Sequence, residues 1–326
     1  SSHPGGRWAI EKSKGRDVTH LFQSYHGELT PPIRARIARY AIHGPVQSKC
    51  RFDPLLTGAQ RALARAAGAP NARIMKTPPW GVAYHLVLAT AYVYQTTAWF
   101  QRPTTLCAIQ LGIIAWLFIG FLQHEGSHNA VSRVAWVNHA ARMSMIPWAS
   151  PSNWFDRHTI QHHTETNTRS DPDFYNASSK FPRHHKDMAW RPVHKFQSAI
   201  ILLYGTIFAL KHGKTTGLKS IATLAYGWKE DAIYLVCTTL WIQRHYQLHG
   251  NLWLTLCPHV VFGVVFIVIT QLNHIHEDAV TKTLLDHAPH QDFMRHQIST
   301  CVDYAHDSLF WSMVSIWLNF QTYHHL

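Results

Sequence analysis

The apolar positions of this chain are concentrated in long runs, with polar segments between them. Trp80 to Phe100 and Thr104 to Gln123 are each long enough for a membrane-spanning helix, and only residues 101–103 separate them. Leu252 to Leu272 is a third run of this kind. An α-helix needs about 20 apolar residues to cross a bilayer. The pattern predicts an integral membrane protein whose first two spans form a tight hairpin.

Three histidine clusters lie in the polar segments next to these runs, and a further histidine follows the last run. Histidines four residues apart share one face of a helix, and neutral imidazole is a common ligand of transition metals. A structural zinc takes four ligands, so this larger set predicts two metal ions bound mainly by imidazole. The candidate ligands are His124, His128, His158, His162, His163, His274, Gln321, His324 and His325.

Two shorter apolar runs, Phe196 to Leu210 and Asp231 to Gln243, make the topology ambiguous. If the histidine clusters share one site, they lie on one side of the membrane, and an even number of crossings separates them. We therefore predict that Asp231 to Gln243 and Leu252 to Leu272 form a second hairpin. Phe196 to Leu210 is then a helix that does not cross the membrane.

The distribution of basic residues supports this topology independently of the histidines. Thirteen Lys and Arg residues precede the first span and thirteen lie between the second and third spans, whereas each hairpin tip carries one, Arg102 or Arg244. Loops rich in Lys and Arg remain in the cytosol. Both termini, the central segment and all the histidine clusters are therefore expected on the cytosolic side.

Composition adds few constraints. A net charge of +12 suits an anionic membrane surface, and nucleic-acid binding is not expected because apolar spans divide the basic residues. Five cysteines without a CxxC pair predict neither a disulfide framework nor a zinc site. The chain begins at Ser1 without a signal peptide and stops at Leu326 directly after a histidine pair, so we interpret it as a fragment cut at both ends.

The first 45 residues contain a second histidine motif. His3-Pro-Gly-Gly6 is followed by Gly15-Arg-Asp-Val-Thr-His-Leu-Phe-Gln-Ser-Tyr-His26. This pattern resembles the haem-binding part of cytochrome b5, without the opening strands of that family's domain. The resemblance implies that His3 and His26 are the axial ligands of a haem b, a bis-imidazole arrangement suited to electron transfer. We expect a truncated cytochrome b5-like α+β domain at residues 1–45 and a linker at 46–79.

The three clusters resemble the histidine boxes of membrane fatty acyl desaturases in order, spacing and placement. Ser170 to Asp173, Gln271 to His274 and Leu318 to Gln321 add to this similarity. Asp171 and Asp173 follow the second box, and we expect their carboxylates to orient ligand imidazoles. Glutamine at the start of the third box, together with a cytochrome b5-like segment, is typical of front-end desaturases. Glu125 and the pair Thr322-Tyr323 depart from the usual boxes, which leaves the position of the double bond open.

The resemblance implies an all-α integral membrane fold over residues 80–326, with four transmembrane helices in two hairpins and a cytosolic helical cap carrying the boxes. It further implies a di-iron centre that uses O2 to insert a cis double bond into an acyl-CoA or acyl-lipid. Electrons would come from the fused haem domain, supplied by NADH-cytochrome b5 reductase. The expected location is the endoplasmic reticulum membrane.

Related chemistry stays open at this point. A sphingolipid long-chain-base desaturase or a membrane di-iron hydroxylase would carry the same boxes. A membrane carrier of haem or metal is disfavoured, because the clearest spans keep ionisable groups at their ends apart from His259. The boxes do not specify the chain length of the substrate or its carrier.

Overall fold

The structure is a computed structural model that describes residues 3, 6–26, 31–39, 79–132, 134–168, 170–173, 183, 189–276 and 293–325. These residues form helices and turns, with no strand among them. The helices are α1 (Gly6–Lys12), α2 (Thr19–His26), α3 (Pro31–Ala38), α4 (Pro79–Gln101), α5 (Thr105–Ser127), α6 (Ala135–Met143), α7 (residues 151–165), α8 (Gln197–Ala222), α9 (Trp228–His249), α10 (Leu252–Leu272), α11 (Phe293–Thr300), α12 (Leu309–Val314) and α13 (Gln321–His325).

Four of the long helices form two hairpins that share an end. The tip of the α4–α5 hairpin lies beside the tip of the α9–α10 hairpin. The Trp99 indole connects them by donating a hydrogen bond to the Leu254 carbonyl at 2.8 Å. The His245 ring bonds the Trp99 carbonyl at 3.1 Å and stacks on the Trp99 ring at 3.7 Å. The opposite ends of these helices therefore also lie at a common side, where the histidine clusters begin.

The core lies where α5 and α10 pack together. Trp116 of α5 contacts Phe262 and Phe266 of α10 with its ring edge, and all three side chains are buried. Gly112 permits the close approach of the two helices, since a Cβ there would lie 2.7 Å from the Pro258 carbonyl oxygen. Small residues at helix interfaces in membranes allow backbones to meet in this way.

Two helices of this bundle are long and apolar enough to cross a membrane, α5 with 23 residues and α10 with 21. The flanking helices α4 and α9 expose many large apolar side chains, as a membrane-facing surface does. The exposed set on these two helices includes Trp80, Val82, Leu86, Val87, Val93, Tyr94, Ile233, Val236, Leu240, Tyr246 and Leu248. Crossing of the membrane by all four helices stays a prediction.

The predicted bounds of two elements are wrong. The run Phe196 to Leu210 is part of α8, a helix of 26 residues, and the run Asp231 to Gln243 is part of α9, a helix of 22 residues. Both helices continue into polar residues at their ends, and these residues carry no apolar pattern that would predict a helix. That α8 does not cross the membrane stays a prediction.

The N-terminal segment is described in part. Its described residues contain α1, α2 and α3 and no strand, so the α+β class expected for a cytochrome b5-like domain is not represented among them. The expected linker 46–79 lies outside the described residues except for Pro79.

We predict that Gly112→Ala destabilises the bundle by about 1–3 kcal/mol, because the added methyl group overpacks the α5–α10 contact. Gly217→Ala is the matched control, since its Cβ would meet nothing closer than a Leu235 side-chain carbon at 3.6 Å. Thermal unfolding of the purified protein in detergent measures both. Equal midpoints for the two variants would contradict the close approach of α5 and α10.

Candidate metal centre

The structure brings together all nine side chains that the sequence analysis selected as metal ligands. They come from the C-terminal end of α5, from α7, from the turn after α10 and from α13. Seven of them are buried, and His128 and His324 are partly buried. Their proposed role as ligands stays a prediction, but their convergence is a property of the fold.

Four imidazoles form the first group. One ring nitrogen from each of His124, His128, His158 and His324 lies within 4.8 Å of the others. The Nε2 atoms of His124 and His324 are 3.2 Å apart. This group joins the first box, the second box and the third box in one place.

The second group contains His162, His274 and His325, again with ring nitrogens within 4.8 Å of one another. The Nε2 atoms of His162 and His274 are 3.2 Å apart. The side-chain amide of Gln321 is 2.8 Å from Nε2 of His274, and Asn273 donates a hydrogen bond to the Gln321 amide oxygen at 3.1 Å. Gln321 therefore belongs to this group.

His163 lies between the two groups. Its Nε2 is 3.4 Å from Nε2 of His158 in the first group. Its ring stacks on His325 of the second group, with ring centroids 4.2 Å apart. The two groups are therefore adjacent, as two neighbouring metal ions require.

The local conformation of the second box explains why His163 occupies this position. An α-helix was expected here, but residues Phe155–His162 form a π-helix that continues into a short α-helix. In a π-helix the hydrogen bonds join residues five apart, and such segments are frequent at functional sites. This winding brings together the rings of His158 and His163, which are five residues apart.

Several of the histidines are fixed by hydrogen bonds to the ring nitrogen that faces away from the group. His162 Nδ1 bonds the Asp171 carboxylate at 2.8 Å, His274 Nδ1 bonds the Thr300 carbonyl at 3.2 Å, and His325 Nδ1 bonds the Gln297 side-chain oxygen at 2.9 Å. Bonds of this kind fix the tautomer and the orientation of metal-binding histidines. They leave Nε2 of each ring directed at its group.

The carboxylates of the segment 171–173 were expected to orient ligand imidazoles. Asp171 does contact His162, whereas Asp173 accepts a hydrogen bond from Arg157 at 2.7 Å. The contributions of Gln297 and Thr300 on α11 were missed. No motif marks them, because each contacts a histidine that is distant in the chain.

Burial keeps most of these imidazoles neutral. Desolvation, assisted by repulsion between neighbouring imidazoles, lowers the pKa of six of them, and that of His274 falls to about 3. The six are His128, His158, His163, His274, His324 and His325. For His162, burial also acts to lower the pKa, but attraction to the Asp171 carboxylate outweighs it and raises the pKa.

The donor set fits a pair of iron ions. Neutral imidazole nitrogens point at one another, and among the described residues Nε2 of His128 and Nε2 of His325 have no hydrogen-bond partner. A buried nitrogen without a partner is costly, and a bound cation removes that cost. Imidazole is a suitable ligand for iron and other late first-row metals.

The two candidate haem ligands are also close to each other. The ring centroids of His3 and His26 are 5.8 Å apart. With metal–nitrogen bonds of about 2.0–2.1 Å, two imidazoles on opposite sides of one ion have ring centres about 6 Å apart. His26 Nδ1 bonds the Phe22 carbonyl at 2.8 Å, so its Nε2 remains available. This separation is compatible with two imidazoles bound to one ion, and the role of His3 and His26 as haem ligands stays a prediction.

Two histidines outside the candidate set lie far from the centre. His245 and His249 bond the carbonyls of Trp99 and Phe100 at the hairpin tips, at the opposite end of the bundle. They contribute to the contact between the hairpins.

Comparison with known proteins agrees with this arrangement. The fatty acid desaturase family model matches residues 97–326, which is most of the chain and includes all nine candidate ligands. This chain belongs to the fatty acid desaturase family. The prediction that this protein is an oxidoreductase that desaturates fatty acyl chains is thereby confirmed.

Relatives of known function extend over nearly the whole chain. The Delta(5) fatty acid desaturase A of Dictyostelium discoideum is 26% identical, covering 99% of this chain and 76% of the relative. The acyl-lipid (8-3)-desaturase of Mortierella alpina is 26% identical, covering 100% and 79%. The acyl-lipid omega-13 desaturase of Chlamydomonas reinhardtii is 23% identical, covering 100% and 80%. The Delta(5) and (8-3) relatives support the resemblance to front-end desaturases. No solved structure matches the chain.

We predict that Asp171→Asn weakens metal binding by this desaturase about 10- to 100-fold, because the anion that holds the His162 ring is lost. Asp307→Asn, at an exposed position, is the control and should bind metal like the wild type. Titration of the metal-free protein with Fe(II) measures the affinity. Equal affinity in the Asp171 variant would show that His162 does not depend on this contact.

The lowered pKa values also predict how the metal-free protein responds to acid. A histidine with a lowered pKa in the fold takes up a proton more readily when unfolded, so each of the six favours unfolding as the pH falls below about 6.5. His162 acts in the opposite direction, because its raised pKa stabilises the fold at low pH. The six lowered pKa values outweigh the one raised pKa value. The thermal midpoint should therefore decrease as the pH is lowered from about 7.5 to about 5.5. A constant or rising midpoint would contradict their burial as neutral rings.

Proposed function

We propose that this desaturase inserts a cis double bond into the acyl chain of a membrane lipid, at two iron ions bound by the nine side chains. The observation that carries the proposal is the division of the imidazoles into two adjacent, buried groups. A pair of metal ions needs such a division, and a single structural ion does not.

Each iron has its own set of ligands in this proposal. His124, His128, His158 and His324 would hold one ion, and His162, His274, His325 and Gln321 would hold the other, with His163 at the boundary. Bound there, the irons would supply O2 activation and removal of hydrogen from an unactivated methylene.

The protein contributes orientation and exclusion of water. Trp154 stacks on His158 at 4.5 Å, and the edge of Phe266 contacts Trp154 at 5.0 Å. These apolar rings cover the first group from the side of α10. Asp171, Gln297 and the Thr300 carbonyl hold the rings of the second group from the other side. The reacting methylene is thereby expected to meet the metals in a dry environment.

The substrate class is inferred from the relatives. The Mortierella and Chlamydomonas proteins are both named acyl-lipid desaturases, so we assign an acyl-lipid in preference to acyl-CoA. The same names differ in the position of the double bond. We assign front-end insertion from Gln321 in the third box and from the Delta(5) and (8-3) names.

The electrons for the reaction would come from the N-terminal segment. His3 and His26 would hold a haem b, reduced by NADH-cytochrome b5 reductase. Tethering a donor to its acceptor replaces diffusion with a high effective concentration. The spacing of the two rings, 5.8 Å between centroids, supports this assignment.

For the membrane arrangement we propose four crossings, by α4, α5, α9 and α10, in the endoplasmic reticulum. The shared end of the two hairpin tips and the exposed apolar faces of α4 and α9 support it. Lys and Arg are concentrated in the segments at the other end, which would place the metal centre and both termini in the cytosol.

Expression in yeast with a panel of fed fatty acids tests the function. We expect a new double bond in lipid-bound acyl chains, located by mass spectrometry. His162→Ala should abolish that product while membrane insertion continues, because a ligand is lost outside the spans. His306→Ala is the control, since its side chain is 54% exposed and lies outside the nine-residue set. Full activity of His162→Ala would rule out the proposed centre.

A further inference from the structure

The N-terminal helices pack directly on the helix of the second box. Trp8 of α1 and Leu21 of α2 are buried in a cluster with Phe155 and Ile160 of α7. The exposed fractions of these four side chains are 7% or less, so the contact is tightly packed. Burial of large apolar side chains stabilises such a contact. The segment with the candidate haem ligands therefore has a defined position on the catalytic domain.

Charged residues reinforce this contact. Arg16 forms a two-pronged ion pair with Asp156 of α7, with the shorter bond at 2.8 Å. The Arg142 guanidinium lies over the rings of Trp8 and Phe155, at 4.9 and 4.7 Å from their centroids. Arg142 is only 2% exposed, and cation–π contacts are stronger when they are desolvated. These contacts fix the orientation of α1 and α2 relative to α7.

One side chain of this segment reaches the metal centre itself. The Tyr25 hydroxyl is hydrogen-bonded to Nδ1 of His128 at 2.9 Å. Nε2 of His128 has no hydrogen-bond partner among the described residues and belongs to the first imidazole group. A histidine that binds a metal through Nε2 carries its proton on Nδ1 and donates it to an acceptor. The Tyr25 oxygen is in the position of that acceptor.

We propose that Tyr25 is a positioning residue of the metal centre, which holds His128 in the tautomer and orientation that direct Nε2 at a bound ion. The assignment of that ion as iron rests on the proposed function. Tyr25 immediately precedes His26, so one peptide unit and one hydrogen bond connect a candidate haem ligand to a candidate iron ligand. The N-terminal segment thereby completes the first metal site.

The other first-group histidines show what is special about His128. His124 Nδ1 bonds Glu125 from its own helix at 3.2 Å, and His158 stacks on Trp154 of its own helix. His128 is the C-cap residue of α5. Its orienting contact comes from 103 residues earlier in the chain. Removing that contact should weaken iron binding at the first imidazole group more than at the second.

Tyr25→Phe tests the proposal, because it keeps the ring and removes only the hydroxyl. Tyr226→Phe is the matched control. Tyr226 packs against the same apolar cluster, but its ring lies beside the Arg7 guanidinium, 5.6 Å away. Both variants are made in the whole protein. The readouts are the Fe(II) dissociation constants of the metal-free protein, its thermal midpoint and the haem absorbance.

We expect Tyr25→Phe to weaken binding of one iron about 10- to 100-fold while the other iron, the haem absorbance and the thermal midpoint stay as in the wild type. Tyr226→Phe should change iron affinity by no more than about twofold. Unchanged iron affinity in Tyr25→Phe, or an equal loss in both variants, would overturn the proposal. If Tyr25→Phe lowers the thermal midpoint and iron binding together, the role is packing and the proposal fails as well.

These readouts need no acyl substrate, so they are separate from the test of function. A wild-type protein that forms no unsaturated product, combined with weak iron binding in Tyr25→Phe, would leave the positioning role intact and refute the proposed acyl-lipid reaction at this centre. Normal product formation by the wild type, combined with unchanged iron binding in Tyr25→Phe, would support the proposed function and overturn the positioning role.

Discussion

The structure depends on a group of buried imidazole nitrogens that face one another at 3.2 to 3.4 Å. Neutral nitrogens with lone pairs directed at each other do not stabilise a protein by themselves. Burial lowers the pKa of His158, His163 and His324, so protonation of these three rings does not relieve the arrangement. Metal ions do, and the fold is therefore organised to present neutral nitrogen ligands to cations in an apolar setting.

The helical frame supplies the ligands from distant parts of the chain. The two hairpins contact each other at their tips, which leaves the other ends of α5 and α10 to carry His124, His128 and His274 into one region. The helix α7 adds three more rings through its π-helical winding. The helix α13 closes the site from the end of the described chain. Distant fixed elements of this kind hold ligand geometry better than a single loop.

The sequence predicted the site more completely than the contacts around it. Eight of the nine candidate ligands were found because each box is local, with residues within five positions of one another. His274 was found because it follows the last apolar run. Asp171 was found because it is only nine residues from His162. Gln297 and Tyr25 were missed because they contact histidines 28 and 103 residues away, and only the folded chain brings them together.

Helix type and length were also beyond the sequence pattern. An apolar run predicts only the part of a helix that faces lipid or the protein core. The polar ends of α8 and α9 were therefore missing from the predicted helices. The π-helix at residues 155–162 was not predicted either, because no sequence pattern there distinguishes a π-helix from an α-helix.

The most direct test of this account is to locate iron in the purified protein by anomalous scattering at the iron absorption edge. Two peaks are predicted outside any haem, one among His124, His128, His158 and His324 and the other among His162, His274 and His325. A single peak between the two groups, or peaks elsewhere in the chain, would contradict the two-metal centre.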